Sequence, residues 1–213
     1  MKINELPDTK SERVDWVIRA DTNEELVRRY DLWAQLYDSD IGSYEDYLVP
    51  AEAVRIAKQT FSLDDRIFDA GAGTGLVGQA LKNEGFTELV AVDYFEKMLE
   101  IARSKQVYKE IHLCDLGKET HFEGNSFDAV ITCGTTSQMP SYSLREFVRL
   151  VRPGGYIIFA VLPEPWESCG YSAIYEELSA AGKLSLESRG KTFQMMPTTE
   201  PDFYCEIWTM KVS

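Results

Sequence analysis

The residues best equipped for chemistry lie in one short stretch, Arg66-Ile-Phe-Asp-Ala-Gly-Ala-Gly-Thr-Gly-Leu-Val-Gly78. An apolar run ends at a carboxylate, Asp69, and enters a loop carrying Gly71, Gly73 and Gly75 before a helical pattern begins. Glycines at such a place allow a tight turn and let a ligand approach bare backbone near a helix N-terminus. A second acid, Asp93, closes the next β-prone run 20 residues after Gly73, where a carboxylate can accept from both hydroxyls of a ribose.

Gly73-Thr-Gly-Leu-Val-Gly78 also fits the G-x-G-x-x-G dinucleotide pattern, so the glycines and Asp93 serve NAD or S-adenosylmethionine equally. Asp69 separates the two. A carboxylate directly before the loop attracts an amino-acid ammonium and repels a pyrophosphate. The chain also has no Tyr-x-x-x-Lys of the short-chain dehydrogenases. The methyl donor is therefore the expected ligand, with an NAD(P)-binding oxidoreductase and a non-catalytic S-adenosylmethionine-binding protein as alternatives.

Further candidates lie outside the loop. Leu26, Tyr30, Trp33 and Tyr37 are spaced to share one helix face, a pattern that serves core packing or a lid over a ligand. Thr135, Ser137 and Gln138 lie in the hydroxyl-rich run Gly134-Thr-Thr-Ser-Gln-Met-Pro140, and Cys133 stands just before it. His112 falls in a β-prone run and His121 in a polar connection, positions read as structural. The cysteines Cys114, Cys133, Cys169 and Cys205 are 19, 36 and 36 residues apart, without the C-x-x-C spacing of zinc or redox sites, so free thiols and no metal are expected.

Elements must bring these residues together. Helices are expected near Ser11 to Ala20, Asn23 to Tyr37 and Ala51 to Phe61. From Arg66 onward short strands (Arg66 to Ala70, Glu88 to Val92, Glu110 to Cys114, Phe127 to Cys133, Tyr156 to Leu162) alternate with helices (Leu76 to Glu84, Phe95 to Ser104, Leu144 to Leu150), which predicts a parallel α/β sheet covered on both faces. After a helix at Tyr171 to Ala181, the β-prone runs Leu184 to Met195 and Phe203 to Val212 are too close for a crossover helix and should pair antiparallel. The expected organisation is an N-terminal helical lid, 1–61, on a core, 62–213, with Gly42 as a possible hinge.

Composition narrows the partners. The 213 residues suit one domain, and 44% apolar residues fill one core. With 22 Lys plus Arg against 35 Asp plus Glu, the net charge of −13 opposes phosphate backbones and anionic membranes. No apolar run approaches the ~20 residues of a bilayer span, and the first residues do not read as a signal peptide, so a cytoplasmic location is expected.

Taken together the motifs resemble those of class I S-adenosylmethionine-dependent methyltransferases. Asp69 to Gly78 looks like motif I, Val92-Asp-Tyr-Phe-Glu-Lys-Met-Leu99 like the ribose-binding motif II, and Cys114-Asp-Leu116 like the adenine-binding segment. Phe127 to Cys133 and Val151-Arg-Pro-Gly-Gly155 resemble the fourth-strand motif and the turn before strand five. Tyr30-Asp-Leu-Trp-Ala-Gln-Leu-Tyr-Asp38, with Thr74 to Gly78, is similar to the methyltransferase-like family that includes the Williams-Beuren syndrome region protein.

The resemblance implies a Rossmann-like, mostly parallel seven-stranded sheet ending in an antiparallel hairpin. It implies that Asp69 and the Gly71 carbonyl face the donor ammonium, Asp93 holds the ribose, and Tyr94 and Met98 flank the adenine. Asp115 would accept from the adenine amino group, with Leu116 packed on the ring and Cys133 beside the methyl. Tyr30, Trp33 and Tyr37 would close over the donor, with the Tyr37 hydroxyl on its carboxylate. Tyr37 and Gln138 are the candidates for acting on the acceptor, which is expected to be a small, neutral or cationic molecule. The run after strand four lacks the Asn/Asp-Pro-Pro-Tyr/Phe motif of enzymes that methylate nucleobase or glutamine nitrogens, which argues against those acceptors.

Overall fold

The computed structural model describes residues 5–41 and 46–213; the expected hinge at Gly42 lies outside them. Helices α1 (Lys10–Ile18), α2 (Asn23–Ile41) and α3 (Val49–Thr60) precede β1 (Ile67–Ala70), α4 (Leu76–Asn83), β2 (Leu89–Asp93), α5 (Glu96–Lys105), β3 (Glu110–Leu113) and β4 (Phe127–Thr132). Then come α6 (Ser143–Leu150), β5 (Val151–Val161), α7 (Pro163–Ser168), α8 (Tyr171–Ala180), β6 (Leu184–Arg189), β7 (Phe193–Met196) and β8 (Glu200–Val212).

Seven strands lie in the order β3-β2-β1-β4-β5-β8-β6, and β7 pairs with the start of β8. β1 to β5 are parallel, whereas β8 runs antiparallel to both β5 and β6. This is the Rossmann-like α/β fold expected from the alternating pattern. Successive strand residues feed opposite faces of the sheet. Ile67, Ala129, Ile131 and Ile158 pack with α3 and α4, while Phe68, Val130, Ile157 and Phe159 pack with α6 and α8.

Three local features differ from the sequence pattern. β5 starts at Val151, because Phe127 pairs with Val151 and Ala129 with Tyr156, leaving Arg152 to Gly155 opposite Asp128 alone as a bulge. The short helix α7 was not expected, since Pro-Glu-Pro-Trp-Glu-Ser has no helical apolar period; Pro163 opens it, and Trp166 anchors it against Phe159, Tyr171 and Trp208. The run Leu184 to Met195 divides into β6 and β7 around Gly190, where an added Cβ would lie 2.7 Å from the Ile207 carbonyl oxygen.

The N-terminal helices pack unequally. A capping box between Thr9 and Glu12 starts α1, which lies on α2, and α2 lies on α5. α3 instead packs on α4, β5 and β8, with Val49, Ala53 and Ala57 fully buried.

Candidate functional site

The glycine loop is built by β1 and β2. Parallel pairing sets Ala70 beside both Val92 and Thr132, so the carboxyl ends of three strands meet there. The backbone N–H groups of Gly71 and Ala72 both donate to the Val92 carbonyl, at 2.8 and 3.1 Å, folding the loop back over β2. Gly71 has φ +73°, and a Cβ there would fall 2.4 Å from Thr135 Cγ2; Gly is required by both conformation and space.

Asp93 locks the loop to the next strand. Its Oδ2 accepts from the Gly73 N–H at 2.7 Å and its Oδ1 from the Phe95 N–H at 2.8 Å. Burial raises its carboxyl to about 6, against the pull of these backbone donors. Each oxygen retains a lone pair for a further donor. The arrangement fits a ribose diol.

A narrow cleft of about 140 Å³ opens at these strand ends. Gly71, Gly73, Asp93, Tyr94, Met98, Asp115, Leu116 and Cys133 all line it, as do Tyr30, Tyr37 and Gln138. Asn23, Leu26, Phe95, Cys114, Gly134, Thr135, Met139 and Pro140 complete the wall. Asp115 accepts from the Gly117 N–H at 2.9 Å and pairs with Lys118 at 2.8 Å, which lowers its pKa, the lysine contact first.

Three expected donor-site residues are placed differently. Asp69 is only 1% exposed and is not part of the cleft wall; it accepts from the Tyr108 hydroxyl at 2.5 Å. Burial pushes its carboxyl up to about 7. Gly75 is the left-handed N-cap of α4 and faces the Tyr108 ring. Trp33 donates its indole N–H to Asp40 at 2.6 Å and faces a different cavity. The rings of His112 and His121 lie 5.0 Å apart, tilted at 50°, outside the cleft wall.

α2 covers the cleft. The Tyr30 ring stacks on Phe95 at 4.2 Å, and its hydroxyl donates to Gln138 Oε1 at 2.6 Å. Asp38 accepts from the Thr74 hydroxyl and pairs with Lys105 at 2.6 Å, tying α2 to the glycine loop and to α5. Phe95 and Asp38 gave no separate signal in the sequence: Phe95 reads as the start of α5, and Asp38 as one more acid on a charged helix.

Beyond Tyr30, Tyr37, Gly134 and Gln138 lies a second cavity of about 620 Å³. Those four residues belong to both walls. The remainder of its wall comes from α1, α2, Tyr47, Ser137, the segment around Pro163, and β7 and β8. Burial raises the hydroxyl pKa of Tyr30, Tyr37 and Tyr47 and the thiol pKa of Cys133, so none of these is an ionised base near neutrality.

Residues 68–159 match the family described as "Methyltransferase domain". The chain is similar to methyltransferase-like protein 27 of Homo sapiens, 36% identical over 135 residues, covering 60% of this chain and 54% of that protein. It is also similar to demethylmenaquinone methyltransferase of Clavibacter sepedonicus, 33% identical over 133 residues, covering 58% of this chain and 53% of that protein. The chain thus spans about half the length of these curated relatives. Among solved structures, the [4+2]-cyclase SpnF has the same fold, with a TM-score of 0.68 at 14% identity over 91% of this chain and 97% of that one. A fold held in common with a cyclase leaves the chemistry to the site.

Proposed function

We propose that the chain transfers the methyl group of S-adenosylmethionine to a small-molecule acceptor lying between α2 and the loop Gly134 to Pro140. The observation that carries this reading is that Tyr30, Tyr37, Gly134 and Gln138 line both the cleft at Asp93 and the larger cavity, forming a septum between them. When bound, the donor would supply an electrophilic sulfonium methyl for an acceptor lone pair, with its neutral thioether as the leaving group.

Asp93 holds the ribose, Tyr94 and Leu116 bracket the adenine, and Gly71 presents bare backbone to the amino-acid end. Gln138 and Tyr37 orient the acceptor at the septum. With the septum hydroxyls and Cys133 held protonated, positioning and exclusion of water are the main means of acceleration. The finer resemblance of α2 to the Williams-Beuren-region methyltransferase-like family accords with this division of roles.

The cleft is small beside the ~300–1,000 Å³ of pockets that bury drug-sized ligands. Donor entry then needs Tyr30 to swing off Phe95 and Gln138, so α1 and α2 act as a lid. The test is single-turnover transfer from labelled donor to a metabolite library, with donor affinity measured in parallel. Gln138→Ala should lower turnover by roughly tenfold or more and alter donor affinity less than twofold. Unchanged turnover in that variant, or robust methylation of tRNA, DNA or folded protein, would contradict the proposal.

A further inference from the structure

The larger cavity has a chemical character of its own. Val17, Trp33, Ile41 and Met196 are buried in its wall, and Phe203 closes one side. No Lys or Arg lines it among the described residues. Its charged wall residues, Glu164 and Asp202, are both acidic and exposed to solvent. Its volume of about 620 Å³ lies inside the range of pockets that enclose drug-sized molecules.

Resting on the methyl-transfer reading, we infer that this cavity seats the body of the acceptor, which is an uncharged, ring-bearing, mainly apolar molecule without carboxylate or phosphate. Three observations converge on that class. An anionic group placed here loses hydration with no cation to replace it, and it meets Glu164 and Asp202 at the rim. A ring gains stacking and edge contacts from Trp33 and Tyr37, which already meet edge-on at 4.8 Å. The cavity also shares Tyr30, Tyr37, Gly134 and Gln138 with the cleft at Asp93, so a molecule filling it presents one end to Gln138 and Tyr30, which are joined by their hydrogen bond.

The matched probes 2-naphthol, uncharged near neutrality, and 2-naphthoate, an anion of similar shape, test the inference by calorimetric titration of the full chain. 2-Naphthol should bind saturably and about tenfold or more tightly than 2-naphthoate. Val17→Trp fills the cavity and should weaken 2-naphthol by about tenfold while S-adenosylmethionine affinity stays within about twofold. Phe203→Lys, at a half-buried position that tolerates a charge, should narrow the gap between the probes by about threefold or more through a gain in 2-naphthoate affinity. Equal binding of the two probes, or 2-naphthol binding indifferent to both substitutions, with the donor still bound, would overturn the acceptor assignment alone. Wild-type protein that fails to bind S-adenosylmethionine would overturn it together with the reading on which it rests.

Discussion

In the proposed reading Asp93 has two tasks, because the carboxylate that fixes the glycine loop through Gly73 is also the one that would accept from a ligand diol. Asp93→Ala should weaken donor binding by roughly 1.5–3 kcal/mol, the scale of hydrogen bonds to a charged group. With its pKa at about 6, the carboxylate is ionised above that pH and loses an acceptor below it. Donor affinity measured by calorimetry should accordingly fall as pH drops through about 6 in the wild type. In Asp93→Asn it should be weaker and nearly flat over the same interval; parallel pH profiles in the two proteins would contradict the assignment. The place of Asp93 at the end of β2 beside the glycine loop was legible in the sequence, because the acid closes an apolar run 20 residues after Gly73. Asp69 was legible as an acid before the glycine loop, but its bond to Tyr108 was not. That contact depends on the connection between α5 and β3 placing Tyr108 beside α4, which no local pattern announces.

At the scale of elements, α2 lines both the cleft at Asp93 and the second cavity, and the tie from Asp38 to Thr74 and Lys105 fixes its far end. Asp38→Ala leaves Lys105 without its partner and frees the Thr74 hydroxyl. Amide hydrogen exchange across residues 30–41 should then accelerate by roughly tenfold, the equivalent of about 1.4 kcal/mol of local stability, while β1 and β4 keep their protection. Exchange unchanged in that segment would show that the tie does not hold the helix. The strand order followed from alternation, since short apolar runs divided by helices admit few topologies. The shared helix face of Tyr30, Trp33 and Tyr37 was equally visible, but not its division of labour. Tyr30 and Tyr37 face both cavities, whereas Trp33 faces only the second, a distinction set by packing against α5 rather than by spacing. The helix α7 and the break at Gly190 escaped because a proline-led turn and a close backbone approach leave no periodic trace.

For the molecule as a whole, two buried acids give pH effects of opposite sign. Asp69 has its pKa raised from 3.8 to about 7 by burial, so the folded state keeps a proton that the unfolded chain has already lost. That contribution to stability is complete below about 3.8 and is lost as pH rises through about 7. Glu206 behaves in reverse: Arg189 holds it at about 2, so its contribution is present above the ordinary value of 4.5 and is lost as pH falls toward 2. Thermal unfolding of Asp69→Asn should show a smaller loss of stability between pH 4 and 7 than the wild type, by roughly 2–4 kcal/mol, the residual loss arising from Asp93. Identical slopes would mean that the Asp69 carboxyl is not held protonated by burial.

The central claim, that the cleft at the carboxyl ends of β1, β2 and β4 receives S-adenosylmethionine through Asp93, is tested most directly by calorimetric titration. Wild type and Asp93→Ala would be titrated with S-adenosylmethionine, S-adenosylhomocysteine and NAD. The account predicts one-to-one binding of the donor and its demethylated product by the wild type, a loss of roughly 1.5–3 kcal/mol for both in the variant, and no saturable binding of NAD. Equal donor affinity in the two proteins, or NAD bound more tightly than the donor, would contradict it.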